Sequence, residues 1–390
     1  MKILFVHEIF KPEDFCMDTL EFKPSKDLTL GTEIELQLLD PHTSDLTPKV
    51  DMLLKQINKF DYQGEIKPEV THSMLEIASN IHSNTDSLNN ELRKLNCLLT
   101  REAKKMNIQI SGGGAHPFQA WKERTISTNY EKIYKKYDFL IKKFTVFGQH
   151  IHIGCSDPNK AIYLIHAFSR YIPHLIALSA SSPFYEGIET AFHSTRLHLV
   201  DSFPLSGHFP LVKNWEEFCD YLNKLQKLNV AEQVRNFYWD IRLRPEFGTL
   251  EIRICDTPLT LKQAVALTAY CQTLAFYFSE EKPVKLDNEL YLAYAHNRFQ
   301  ASRYGYKGKI SVPDESTPIS INNDILNTLE KLAPYAKFLG NETYFQHLKK
   351  DVLKLNNDAR IIKRAFKNLK NNVNELASFQ SQVWMHKNNC

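Results

Sequence analysis

Residues 28–39 read LTLGTEIELQLL, so that Leu30, Thr32, Ile34, Leu36 and Leu38 alternate with Gly31, Glu33, Glu35 and Gln37. A period of two predicts a β-strand with one apolar and one acidic face. On such a strand Glu33 and Glu35 project from the same side, about 7 Å apart. Two bare carboxylates so placed repel each other unless a cation lies between them. Hard oxygen donors at this spacing suit Mg²⁺. A solvent-facing strand edge would carry the same pattern.

The pattern recurs. His150 and His152 alternate with Gln149 and Ile151 in a strand predicted over residues 145–154. Glu251 and Arg253 do so in a strand over 249–255, and Asp240, Arg242 and Arg244 in one over 238–244, with a bend at Gly248. Residues 73–78, SMLEIA, hold the single carboxylate Glu76 among apolar residues, and fit either an amphipathic helix or a buried strand. Burying that carboxylate unpaired would be costly. Glu69 and His72 lie just upstream and are candidates to support it. Together these segments imply a sheet with one dry face and one polar face. Carboxylates on the polar face can hold Mg²⁺, and arginines there can neutralise a phosphoryl group in transfer.

Helical spacing is predicted over 85–105, 130–143, 161–179, 215–228 and 261–278, and helices follow one another from about Pro283 to the end. A short strand over 108–111 runs into Gly112-Gly113-Gly114-Ala115-His116, a compact turn without the Lys-Ser/Thr ending of a P-loop. It serves either as a tight turn or as a backbone approach to substrate. Strands and helices do not rotate in strict βαβ order, so an α+β fold with a mainly antiparallel sheet is expected. The division expected is an irregular N-terminal extension over 1–27, in which Met17 could serve as an alternative start, a catalytic domain over 28–305, and a helical region over 306–390 packed on it.

Lys+Arg 48 against Asp+Glu 45 gives a net charge of +3, which offers no electrostatic reason to expect nucleic acid. No apolar run reaches the roughly 20 residues of a membrane span. The first ten residues are too short and polar for a secretory signal, so a cytoplasmic protein is expected. The 7 cysteines show no CxxC pair, and are expected to be reduced packing residues. Cys155, at a strand end after Gly154, is among them. No GxSxG is present, and Arg196 could grip a carboxylate with its planar fork or form a surface ion pair.

With these segments in hand, the chain resembles the glutamate–cysteine ligase type 2 family of carboxylate–amine ligases. The stretches that carry the likeness are TLGTEIELQLLD (29–40), SMLEIAS (73–79), GGGAHPF (112–118), VFGQHIHIG (146–154), HLIALSASSPF (174–184), WDIRLRPEFGTLEIRICDTPLT (239–260) and NRFQASRYG (297–305). The resemblance implies a glutamine-synthetase-like catalytic fold, a curved, mostly antiparallel sheet forming a funnel with helices outside. It implies ATP, Mg²⁺ (with Mn²⁺ as a substitute), a γ-glutamyl phosphate, and small-molecule carboxylate and amine substrates, with cysteine as the default amine. A homodimer is compatible with it; membrane and nucleic-acid partners are not expected.

By the same resemblance Glu33, Glu35, Glu76, His150 and Glu251 match metal positions. His150 is also a candidate on the phosphate side, and is grouped with Arg253 and Arg196 as catalytic. Arg253 matches a phosphate contact and Arg196 a carboxylate contact, while Arg242 and His152 join Arg253 on the nucleotide side. His72 stands where relatives often have an acid, and Leu243 where they tend to have proline, which puts the local loop shape in question. Two other readings stay open at this point: a non-catalytic metal, nucleotide or amino-acid binding protein on the same fold, and a metal-dependent hydrolase built on His150 and His152.

Overall fold

The computed structural model describes residues 20–119, 131–143, 146–231, 233–285, 288–313 and 316–387. Its centre is a seven-stranded sheet. We number its strands β1 (Leu30–Leu39), β2 (Glu65–Pro68), β3 (Met74–Ala78), β4 (Gln109–Ser111), β5 (Gly148–Gly154), β6 (Ile241–Arg244) and β7 (Thr249–Asp256). They lie in the order β6-β7-β5-β1-β3-β2, and every pairing is antiparallel. One edge of β1 carries β3; the other carries β5 along its first half and β4 at its end.

The dry face is made by Ile34, Leu36, Ile151, Ile153, Leu250 and Ile252, all fully buried. Beneath it lie the helix Leu261–Glu281, against β5 and β1, and the helices Pro158–Ser169 and Ile172–Ser179, against β6 and β7. Each fully buried Leu, Ile or Phe there contributes about 1.5–3 kcal/mol by transfer from water. Gln149 and Thr32 are polar members of this face. The Gln149 amide donates to Ala264 O (2.8 Å) and to the Thr32 and Thr268 hydroxyls, so its burial does not leave that amide nitrogen unpaired.

Of the two readings left open for SMLEIA, the structure takes the strand: Met74–Ala78 form β3, and every residue of β3 is buried. Several local expectations are corrected. The helix expected over 161–179 is two helices bent by 64°, with Pro173 in the first turn of the second. The strand expected over 238–244 breaks at Asp240: Tyr238–Trp239 pairs in parallel with Ser206–Gly207, and only β6 joins the main sheet. The helix expected over 130–143 is Glu131–Tyr137 and Phe139–Lys142, broken at Asp138, whose φ is 37°; residue 130 lies outside the described residues. Leu243 sits inside β6 opposite Leu250, at a strand position where no loop needs shaping.

Residues 20–27 are irregular as expected, yet are clamped over the ends of β5 and β6 by Lys23 N–H to Pro245 O and Ser25 N–H to Cys155 O, both 2.9 Å. Met17 and Cys16 fall outside the described residues. Cys155, Cys219, Cys255 and Cys271 are free, but Cys97 is disulfide-bonded, which corrects the expectation that all the cysteines are reduced. The C-terminal helices are tied to the sheet through Ser381 Oγ to Ile110 O, and to the helix Thr85–Lys105 through Trp384 Nε1 to Asn96 Oδ1. Among the described residues no single helix is long and apolar enough to cross a membrane.

Candidate active site

The polar face of the sheet gathers the charged residues by register. Glu33 stands opposite His150, Glu35 opposite Glu76, His152 opposite Glu251, and Glu251 opposite Arg242. Side chains two apart on one strand and directly across on the next point the same way, so four short alternating segments become one patch.

His150 is the hub. Its Nδ1 lies 3.0 Å from Glu33 Oε2, and its Nε2 3.8 Å from Glu35 Oε1. Burial, with Arg253 nearby, pulls its pKa down to about 4, against the pull of Glu33, so the ring is neutral. A carboxylate can only accept, so Nδ1 carries the proton and Nε2 is a bare lone pair. Among the described residues that Nε2 is buried without a hydrogen-bond partner, as is Nε2 of His152, whose Nδ1 sits 3.1 Å from Thr249 Oγ1. A histidine that gives one N–H to a carboxylate and aims the other nitrogen into a polar space has the arrangement of a metal ligand.

Two donor groups are compact enough to hold a cation: Glu33, Glu76 and His150, and Glu33, His152 and Glu251, with the donor atoms of each group within 4.8 Å of one another. Mixed carboxylate and imidazole donors fit Mg²⁺ through the oxygens, and Mn²⁺ through both. Burial pushes Glu33 up, but His150 and His152 outweigh it and hold the carboxyl well below its ordinary range. Burial, and then Glu33, push Glu76 well above that range, against the opposing pull of Lys67. Glu35 lies beside both groups and in neither. Its Oε2 accepts the Gly148 N–H at 2.5 Å, while burial and Glu69 push its carboxyl up to about 7.

The expected repulsion among bare carboxylates is not what surrounds Glu251. Arg242, Arg244 and Arg253 all reach it, Arg253 Nη1 at 2.5 Å from Oε1. Burial raises Glu251, yet these guanidiniums hold it well below the ordinary carboxylate range. Arg196 is buried where the strands end. Its Nη1 and Nη2 donate to Ile254 O (3.4 Å) and Arg253 O (3.2 Å), and its guanidinium lies on Gly148, where a Cβ would come within 2.2 Å of Nη2. It is therefore neither a surface ion pair nor, in this state, a free fork.

The glycine turn takes the packing role. A Cβ on Gly112 would meet Pro258 O at 2.3 Å, and one on Gly114 would meet the Asp256 carboxyl at 2.5 Å. The N–H groups of Gly113 and Gly114 go to Thr257 O and Ser181 Oγ, within the core. His72 turns away to Asp51, 3.0 Å from its Oδ2. Glu69 contributes its field to Glu35 and Glu76. Sequence reasoning missed Lys67, whose Nζ is 2.7 Å from Glu76 Oε1 across the β2–β3 pair. The alternation of Glu65 and Lys67 about the buried Ile66 was the available signal, in a strand only four residues long.

Residues 29–375 match the family model of glutamate–cysteine ligase family 2. A protein of Legionella pneumophila (strain Lens), provisionally named glutamate–cysteine ligase 2-2, is 45% identical over 371 residues, covering 95% of this chain and 97% of its own. One of Chromobacterium violaceum, provisionally named glutamate–cysteine ligase 2, is 43% identical over 94% of this chain and 98% of its own. Among solved structures, the Francisella tularensis glutamate–cysteine ligase in complex with AMP superposes with a TM-score of 0.69 at 12% identity, over 94% of this chain and 90% of that one. The bifunctional glutathione synthetase of Pasteurella multocida gives 0.66 at 16% identity, over 92% of this chain and 52% of that one. At such identities these two likenesses establish the α+β fold.

Proposed function

The chain belongs to glutamate–cysteine ligase family 2, and on that premise we propose that it is an ATP-dependent ligase joining the γ-carboxylate of glutamate to an amine, with cysteine as the default amine. The observation that carries the reading is the convergence, on one sheet face, of the two cation-sized donor groups with the arginines around Glu251. A carboxylate is a poor electrophile, and water competes with the amine. Transfer of the γ-phosphoryl of ATP to the carboxylate oxygen releases ADP and supplies a leaving group. The amine nitrogen then attacks the carbonyl carbon, phosphate departs, and the nitrogen loses a proton.

In this reading Glu33, Glu76 and His150 would hold one divalent ion, with Glu35 supporting it from the side, and Glu33 and His152 would offer donors to a second beside Glu251, whose carboxylate stays paired with the arginines. Mg²⁺, or Mn²⁺ in its place, would supply charge neutralisation for the phosphate oxygens when bound. Arg253 and Arg242, preset on Glu251, face the transferred phosphoryl group and stabilise the charge it develops. Arg196 orients the carboxylate substrate from the Gly148 end. Residues 28–305 act as the catalytic unit, with 306–390 as its helical support.

The acyl phosphate is the point to test. Incubation with MgATP, glutamate and hydroxylamine should yield γ-glutamyl hydroxamate and ADP in equal amounts, with neither formed when glutamate or ATP is omitted. ADP release without glutamate, or no hydroxamate at any enzyme concentration, contradicts the proposal.

A further inference from the structure

Lys67 lies on β2, the edge strand of the sheet, directly opposite Glu76 on β3. Its Nζ stands 2.7 Å from Glu76 Oε1, while Glu76 is almost fully buried and the lysine side chain keeps 22% of its surface in solvent. Glu76 is also one of the three donors that, with Glu33 and His150, could hold a cation. The ammonium thus occupies the charge position that a divalent ion would take against this carboxylate. One oxygen engaged at 2.7 Å by an ammonium is a weaker metal donor until that contact breaks.

The two ends of the cage differ in this respect. At Glu251 three guanidiniums share the carboxylate from a fixed framework, one of them held by further bonds to Arg235 O and Phe237 O. At Glu76 the ion-pair partner among the described residues is a single lysine, a compact charge on a flexible stem with part of its side chain in solvent. Glu65, two residues along the same strand, also acts on the Lys67 charge, so the ammonium has an acid to turn to when it leaves Glu76.

We propose that Lys67 is a displaceable counter-cation: it neutralises Glu76 in the metal-free protein and yields that carboxylate when a divalent ion enters between Glu33, Glu76 and His150. Lys67 is in this sense a positioning residue that sets how tightly and how selectively the ligase site loads its metal, and the inference rests on the metal-dependent reading above. Lysine and metal compete for one carboxylate, so removing the lysine must tighten the metal by the factor that the metal weakens the lysine.

The test is Mn²⁺ binding without nucleotide, read from the paramagnetic resonance of free Mn²⁺, beside melting curves in chelator. Lys67→Met should bind its tightest Mn²⁺ on the order of tenfold more tightly than the parent, and should melt lower in chelator because Glu76 is left buried without a partner. Lys67→Arg, which keeps the charge and adds a fork, should bind Mn²⁺ more weakly than the parent, and covers the case in which the methionine variant does not fold. The double variant Lys67→Met/Glu76→Gln should recover the melting temperature and lose the tightening. Parent binding that both single variants leave unchanged overturns the role of Lys67 and spares the ligase reading. Absence of Mn²⁺ binding in every protein overturns both.

Discussion

Glu251 and Arg242 face each other across β7 and β6, with Arg242 Nε 2.9 Å from Oε2 and Nη2 3.3 Å from Oε1. This two-pronged contact, with Arg244 and Arg253 added, makes the carboxylate the keystone of a buried positive cluster. Removing one partner of a buried pair costs about 3–5 kcal/mol, because the other is left uncompensated. Glu251→Gln should therefore melt well below the parent in metal-free buffer, in addition to losing turnover. An unchanged metal-free melting curve would show that the arginines do not depend on Glu251.

Cys155 is fully buried, its thiol points to Ile153 O, and burial pushes its pKa up to about 12. A nucleophile needs the thiolate, so activation on ATP leaves this residue no chemical task. Cys155→Ala should keep turnover within a few-fold of the parent. A loss beyond about a hundredfold in a folded variant would point to covalent catalysis.

A substitution at Gly148 tests Arg196 without removing a charge. An alanine methyl there would push Nη2 of Arg196 aside. Gly148→Ala should raise KM for glutamate by roughly tenfold or more, the worth of a charged hydrogen bond of about 1.5–3 kcal/mol, with KM for ATP barely moved. An equal change in both constants would assign Arg196 to phosphate or to folding.

Asp324 anchors the C-terminal helices. It takes both Nη atoms of Arg170, at 2.7 and 2.9 Å, and Nε2 of the buried His174 at 2.7 Å. Burial raises its carboxyl, but His174 and Arg170 outweigh burial and hold it well below its model-peptide value of 3.8. Burial likewise holds His174 below 6.5. Both folded values are depressed, so the unfolded chain binds more protons in acid, and both contributions are present at neutral pH and lost as pH falls. The parent melting temperature should decline below pH 6.5, and again below 3.8. Asp324→Asn should melt several degrees lower at pH 7, with the gap narrowing only as pH falls below 3.8. A gap independent of pH would mean that the anchor is steric.

The acidic strand was legible because its signal is local: alternation about Ile34 and Leu36 needs no partner to be read. The four charged segments could be assigned to one polar face for the same reason. What escaped depends on contacts far along the chain. The break at Asp240 is coupled to Tyr294 and Arg298, 54 and 58 residues away, which take its carboxylate. The bend after Ser169 lies in a run whose apolar residues keep helical spacing across it, and its mark in the sequence was Pro173. The electrostatics were read least well. Alternation predicts where carboxylates point, whereas their partners are set by register, which placed three arginines on Glu251 and Lys67 on Glu76.

The central claim is that phosphoryl transfer, carboxylate and amine are joined in one reaction. Incubation of the full chain with MgATP, glutamate and a panel of amines, with ADP and coupled product followed by mass, tests it most directly. The account predicts a γ-glutamyl amide formed with one ADP per product, only when ATP, glutamate and amine are all present. Product formed without ATP would indicate a hydrolase run in reverse, and no turnover with any amine a binding protein; either result contradicts the account.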